Sequence, residues 1–188
     1  MKNLVIFASG SGTNAENIIR HFKLNGKAVV KAVFCNRPDA DVIVRAKKLN
    51  TEVVVFNKKD FQESDKVIRL LEQMNADLIV LAGFLWLIPD AMIKKYPHQI
   101  INIHPALLPK HGGKGFYGAN VHRAVLETGD RKSGITIHYV NENFDEGEII
   151  FQKECEINVG ETPETLAHKV RALELEYYPK VIEEILNN

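Results

Sequence analysis

Asn102 and His104 lie two residues apart in Ile101-Asn102-Ile103-His104-Pro105-Ala106-Leu107-Leu108-Pro109. Strand alternation would put both on one face, about 7 Å apart. Histidine is the side chain best suited to exchange protons near neutrality. An amide NH2 can stabilise an oxyanion as charge develops. The pair therefore suggests chemistry on a carbonyl, set against the plainer alternative of a structural histidine capped by a backbone carbonyl. Asp145, in Phe144-Asp145-Glu146-Gly147-Glu148, would favour the imidazolium, fix the ring and hold a water for proton relay if the chain brought it to His104. No G-x-S-x-G nucleophile elbow is present, and Cys35 and Cys155 carry no local nucleophile signature. The seven histidines include no HExxH and no Cys/His pairing at zinc spacing. The pattern points to metal-free acyl or formyl transfer with direct attack by a bound amine.

A second cluster follows the first apolar run. Ser9-Gly10-Ser11-Gly12-Thr13-Asn14-Ala15 satisfies the G-x-G-x-x-A dinucleotide fingerprint. Glycines let a backbone approach an anion, and free N–H groups at a helix start favour negative charge. Such a loop suits a single terminal phosphate. A dinucleotide would also need an acidic residue near the end of the second strand, where the sequence reads Cys35-Asn36-Arg37-Pro38. Arg37 could instead accept a 2′-phosphate, so an NADP-dependent reductase stays open beside a phosphate site and a merely structural tight turn.

These residues need a scaffold. Apolar runs at Leu4–Ala8, Val29–Cys35, Glu52–Phe56, Leu78–Ala82 and Ile100–Ile103 read as strands. Amphipathic stretches between them read as helices at Thr13–Leu24, Asp39–Leu49, through Glu63–Met74, and after Pro89 at a first helical position. This rhythm predicts a parallel sheet covered by helices. The last third differs: a Gly/Pro/His-rich loop over 104–118, a helix over Ala119–Glu127, then strands Gly134–Val140 and Glu148–Ile157 with no helix between them, which suits an antiparallel pair. Thr162 should cap a final helix with Pro163 in its first turn, and Pro179 should kink or interrupt it. The expectation is an α/β, Rossmann-like, mostly parallel twisted sheet of about seven strands, with helices on both faces and an antiparallel pair near the C-terminus, as one domain over 1–188.

The chain has 188 residues, 24 Lys+Arg against 24 Asp+Glu, and 45% hydrophobic residues, an ordinary globular composition. Zero net charge argues against non-specific nucleic-acid binding, without excluding a local anion site. The first apolar run has five residues before Ser9-Gly10, too short for a signal peptide, and no run approaches the ~20 residues of a membrane span. A cytoplasmic protein is expected, with Cys35 and Cys155 as small buried hydrophobes.

Taken together, Ser9-Gly10-Ser11-Gly12-Thr13-Asn14, Leu81-Ala82-Gly83-Phe84, Asn102-Ile103-His104-Pro105-Ala106-Leu107-Leu108-Pro109 and Phe144-Asp145-Glu146-Gly147 resemble the phosphoribosylglycinamide formyltransferases, collinearly over nearly the whole chain. The resemblance implies formyl transfer from 10-formyltetrahydrofolate, as co-substrate, to the amine of glycinamide ribonucleotide in purine synthesis, with no metal. It implies that Asn102 holds the formyl oxygen, that His104 is the general acid/base, and that Asp145 positions His104 and a water. Gly12, Thr13 and Asn14 would bind the substrate phosphate, with Arg171 and Glu174 also toward the ribonucleotide. Leu85, Trp86, Leu87, Ile88, Asn102, Val140, Asn141, Glu142, Asn143, Phe144 and Asp145 would form the folate pocket. The phosphate half is then about 1–100 and the folate and catalytic half about 101–188.

There are departures. Trp86 stands where some members carry a basic residue, Arg171 where some carry Gln, and Ser64 where some carry a folate-tail Arg. The loop over 110–118 looks longer than in many relatives, so roles for His111 and Lys114 are open, as is lid motion. His138 could line the site or be a satisfied core histidine. Trp86 could stack on a pterin or be core, and His122 and His168 read as surface or supporting residues. Lys47-Lys48 and Lys58-Lys59 read as solvated faces that could attract a polyglutamate tail. A formyltetrahydrofolate hydrolase is the sister reading; it would carry an extra N-terminal domain, and a transfer-RNA formyltransferase an extra C-terminal one. A catalytically dead nucleotide-binding module is the remaining class. The partners expected are small metabolites, with no nucleic acid, no membrane, and a monomer or homodimer.

Overall fold

The computed structural model describes residues 1–187. The elements in chain order are β1 (Lys2–Ala8), α1 (Thr13–Asn25), β2 (Ala28–Cys35), α2 (Asp41–Lys48), β3 (Glu52–Val55), α3 (Lys58–Gln62), α4 (Lys66–Gln73), β4 (Leu78–Leu81), α5 (Asp90–Lys95), β5 (Ile100–His104), α6 (Ala119–Glu127), β6 (Lys132–Tyr139), β7 (Ile149–Glu156) and α7 (Pro163–Asn187). They form a seven-stranded sheet in the order β3-β2-β1-β4-β5-β6-β7. β1 to β5 pair in parallel, whereas β5–β6 and β6–β7 are antiparallel. The predicted α/β architecture is therefore the observed one.

The central strands read as continuous apolar runs because both faces are covered. On one face Leu4, Ile6, Val33 and Val80 pack with Ile18, Ile19 and Phe22 of α1 and with Val170, Tyr178 and Ile182 of α7. On the other, Val5, Phe7, Phe34 and Ile79 pack with Phe61 of α3, Leu71 of α4 and Met92 of α5. Phe7 is the hub of an aromatic cluster there, with Phe34 stacked at 5.0 Å and Phe84 edge-on at 5.3 Å.

β1 lies between β2 and β4, so the chain leaves it to one side first and returns to the other later. That is the switch point at which open α/β sheets form a crevice beyond the carboxyl ends of their strands. Gly12 caps α1 there with φ of 74°, and a Cβ on it would fall 2.3 Å from Val42 Cγ2. Only glycine allows both that conformation and that contact.

Three local expectations change. The helix expected through Glu63–Met74 begins only at Lys66. A separate short helix precedes it, capped by Asn57, whose side chain accepts from Asp60 N at 2.8 Å. Pro89 is the N-cap of α5 and not its first helical residue, with an extended ψ of 142°. Finally, α7 runs unbroken through Pro179. A proline lacks the N–H that would bond the carbonyl four residues back, here Leu175. That carbonyl accepts instead from Asn17 Nδ2 of α1 at 2.7 Å, so the vacancy made by Pro179 becomes a docking contact between two helices.

This account predicts coupling between the two positions. Asn17→Ala should destabilise the fold by about 1–2 kcal/mol by stranding the Leu175 carbonyl. The same change in a Pro179→Ala background should cost measurably less, because residue 179 then supplies an N–H. Chemical denaturation of the four-member cycle measures the difference.

Candidate active site

At the carboxyl ends of β1, β4 and β5 a single cavity of about 810 Å³ runs from the Gly12 loop to Asn102, His104 and Asp145. β5 carries Asn102 and His104, and antiparallel pairing sets His138 of β6 opposite Asn102 and Thr136 opposite His104. The turn after β6 then brings Asp145 back over β5. Asp145 sits in the left-handed region with φ of 58°, a conformation that Asp tolerates better than most side chains. Its Oδ2 lies 3.4 Å from His104 Nδ1, and its Oδ1 lies 3.6 Å from His138 Nε2 and 3.4 Å from Asn102 Nδ2. Two imidazoles and an amide thus face one carboxylate.

The hydrogen bonds determine the tautomers. His138 Nδ1 donates to Tyr139 O at 2.8 Å, so its Nε2 accepts from Asn102 Nδ2 at 3.2 Å. His104 Nε2 donates to His111 O at 2.8 Å. In the neutral ring the proton-accepting nitrogen is therefore Nδ1, the one beside Asp145. Burial pushes the His104 imidazole below its ordinary value; Asp145 and the His111 carbonyl pull it up, while His138 and His111 add to the lowering. The net result is a neutral base at neutral pH. Burial raises the Asp145 carboxyl, but His138, His104 and the Gly113 N–H, which donates at 3.0 Å, outweigh it and leave it below its ordinary value.

The turn after β5 is held by residues that carry no chemistry. Thr136 Oγ1 donates to Ala106 O at 2.7 Å and accepts from Leu108 N at 3.0 Å. Gln152 Nε2 of β7 donates to Leu108 O and to Thr136 Oγ1, each at 2.9 Å. The Leu108–Pro109 peptide bond is cis.

At the other end, α1 starts without a side-chain cap, so the N–H groups of its first turn have no protein capping group and favour an anion. Two side chains of α7 close on this start. Arg171 Nη2 donates to Thr13 Oγ1, and Asn14 Nδ2 donates to Glu174 Oε2 at 2.9 Å. Burial raises the Glu174 carboxyl against the opposing effects of Asn14 and Arg171. Asn14 Oδ1 is buried without a partner.

The cavity lining includes Gly12, Thr13, Asn14, Arg171, Glu174, Leu85, Trp86, Leu87, Ile88, Asn102, Val140, Asn143, Phe144 and Asp145. Asn141 and Glu142 do not line it. Glu142 is exposed, and the Asn141 side chain closes the turn by accepting from Asn143 N at 3.0 Å. Trp86 packs edge-on to Phe56 at 6.0 Å as a core residue would, and it also lines the cavity.

The formyl transferase family profile matches residues 2–182. The chain belongs to the formyl transferase family. It is 37% identical over 191 residues to the phosphoribosylglycinamide formyltransferase of Bacillus subtilis strain 168, covering 99% of this chain and 95% of that one. It is 39% identical over 189 residues to the chloroplastic enzyme of that name from Arabidopsis thaliana, spanning 96% of this chain and 64% of its length. Among solved structures, glycinamide ribonucleotide transformylase 1 from Geobacillus kaustophilus superposes with a TM-score of 0.89 at 36% identity, over 99% of each chain. The phosphoribosylglycinamide formyltransferase from Anaplasma phagocytophilum superposes at 0.92 and 29%, covering 100% of this chain and 87% of that one.

Within this formyl transferase fold, several site residues had no local sequence signal. Strand alternation grouped Thr136 with His138, but nothing marked Gln152, Gly113 or the His111 carbonyl. His122 proves to be 6% exposed and lines the cavity, rather than lying at the surface. Its Nδ1 has no partner, and burial followed by the nearby His104 lowers its pKa.

The electrostatics predict that His104 titrates below 6.5 when followed by NMR of the imidazole protons. Asp145→Asn removes the main upward influence, so in that variant His104 should titrate at a still lower pH.

Proposed function

We propose that this protein transfers the formyl group of 10-formyltetrahydrofolate to the amine of 5-phosphoribosylglycinamide in purine synthesis. The observation that carries the reading is the continuity of one cavity from an uncapped helix start to a buried Asn–His–Asp cluster, in a chain of the formyl transferase family. On this reading the phosphate rests on Gly12, Thr13 and Asn14, with the ribonucleotide reaching Arg171 and Glu174. The pterin rests against Leu85, Trp86, Leu87 and Ile88 and against Val140 and Asn143 to Asp145. The chain acts as one domain, with its phosphate half before about residue 100 and its folate half after it.

The chemistry can be written in terms of these groups. The amine nitrogen attacks the formyl carbon, and the C=O electron pair moves onto oxygen. Asn102 Nδ2–H meets the developing oxyanion by giving up its long 3.4 Å contact with Asp145. His104 Nδ1 takes the proton of the attacking amine, directly or through a water held by Asp145. The resulting imidazolium satisfies both N–H groups, on His111 O and on Asp145. Collapse breaks the bond from carbon to folate N10, and N10 takes the proton from His104. No step calls for a metal. Among the described residues no group of three or more His, Cys, Asp or Glu is arranged to hold one, and no helix is long and apolar enough to cross a membrane. On this reading the partners are two metabolites, with no nucleic acid and no membrane. All groups come from one chain, which fits a monomer or homodimer in the cytoplasm.

The test is formyl-folate turnover with and without the ribonucleotide. Turnover should require the ribonucleotide and survive treatment with a chelator. Formate release without it would establish a hydrolase, and nicotinamide reduction a reductase. His104→Ala and Asp145→Ala should each lower kcat by about 100-fold or more while the fold, followed by circular dichroism, is retained.

A further inference from the structure

The loop after β5 grips the catalytic pair from both sides. His111 O accepts from His104 Nε2 at 2.8 Å, and Gly113 N donates to Asp145 Oδ2 at 3.0 Å. Between them, Gly112 fits where a Cβ would lie 2.5 Å from Leu108 Cδ2 and 3.2 Å from Asp145 Cβ. The three residues therefore form a close clamp. The His111 backbone holds a left-handed φ of 56°, uncommon for any residue but glycine, though His tolerates it better than most.

The contacts of the His111 side chain lie on the far side of the loop. The His111 side chain is nearly buried and turns away from the cavity, so that Nε2 donates to Asp130 Oδ2 at 2.8 Å. The same carboxylate accepts from Lys110 Nζ at 2.8 Å through Oδ1, and Thr128 Oγ1 lies 3.3 Å from Oδ2. Asp130 follows α6, a rigid anchor outside the loop. The His111 hydrogen bond and then Lys110 hold its carboxyl down at about 2, so it is an anion at any working pH. Asp130 does not line the active cavity.

We propose that Asp130 and His111 are positioning residues for the transfer reaction: the Asp130 carboxylate anchors the His111 side chain, and this anchor holds the His111 carbonyl on His104 Nε2. The inference rests on the formyl-transfer reading for its kinetic consequence and on geometry alone for its effect on His104. Losing the carbonyl contact frees the ring to rotate away from Asp145. It also removes one of the two groups that raise the imidazole pKa, the other being Asp145, while His138 and His111 act in the opposite direction.

The experiment compares the full-length protein with Asp130→Ala, Asp130→Asn and His111→Phe. Asp130→Ala should lower kcat about tenfold, leave both KM values within about twofold, and move the acid limb of the kcat profile to lower pH. Asp130→Asn keeps an acceptor for His111 Nε2 and should fall between wild type and Asp130→Ala. His111→Phe keeps the carbonyl but loses the anchor, so it should reproduce Asp130→Ala and serves if that variant does not fold. NMR titration of His104 should show a lower pKa in Asp130→Ala; in His111→Phe the weakened carbonyl contact lowers it while loss of the His111 imidazole raises it, so kcat is the readout for that variant. Unchanged kcat and an unchanged His104 titration, with only a lower Tm, would overturn the proposal by making the cluster a mere staple. A rise in KM without loss of kcat would overturn it too. If the wild type transfers no formyl group, the functional reading falls, whereas the His104 titration still decides the positioning claim.

Discussion

The antiparallel register between β5 and β6 is the constraint on which the rest of the site depends. It sets His138 opposite Asn102 and Thr136 opposite His104, and it sends the following turn back so that Asp145 reaches both imidazoles. Side chains in a strand alternate with period two, so a slip of one residue would turn His138 and Thr136 to the other face together. Features around this pairing reinforce it. Thr136 holds the turn after β5 through Ala106 and Leu108, and Gln152 ties β7 to the same turn. Tyr178 of α7 donates its hydroxyl to Leu81 O of β4 at 2.9 Å, pinning the last helix across the ends of the strands.

Burial and charge act against each other at this pairing, and the balance is what makes the site useful. Removing His104 from water favours its neutral form, whereas Asp145 favours the charged one. A neutral ring held against a carboxylate is a base whose conjugate acid already has a partner. Asp145 escapes protonation because His138, His104 and Gly113 face it. The site thus keeps an anion and a neutral imidazole close together, both with nearly buried side chains. At the opposite end of the cavity the balance is simpler. The uncapped N–H groups of α1 supply local positive potential without adding to the zero net charge of the chain.

Much of the fold was legible because its signals were local and repeated. The strands showed as apolar runs, and α6 falls at the expected Ala119–Glu127 because its period and its bounding Gly and Thr agree. The misreadings share a cause in distant parts of the chain. Pro179 breaks the local rule for helices, but Asn17, 158 residues before Leu175 in sequence, takes the Leu175 carbonyl that the proline strands. His122 was open between a surface and a supporting place, and the packing of α6 over the cavity decides against the surface. Of the stretch expected after Val140, Asn143, Phe144 and Asp145 line the cavity, whereas Asn141 and Glu142 do not, the Asn141 amide being engaged in the turn itself.

The sequence by itself determined the chemical inventory: an amide and an imidazole on one strand face, a carboxylate in a tight turn, and a glycine-rich helix start. Each is a matter of residue type and short-range periodicity, which the covalent chain sets. Only the tertiary structure decided that His104 Nδ1 is the ring nitrogen left beside Asp145, that His138 belongs with Asn102, and that the loop over 111–113 clamps the pair. Those outcomes turn on desolvation, on distances between charges and on which backbone carbonyl meets which ring. The Asp145 and His138 contacts join segments more than thirty residues apart, and even the seven-residue span from His104 to His111 is shaped by the fold around it.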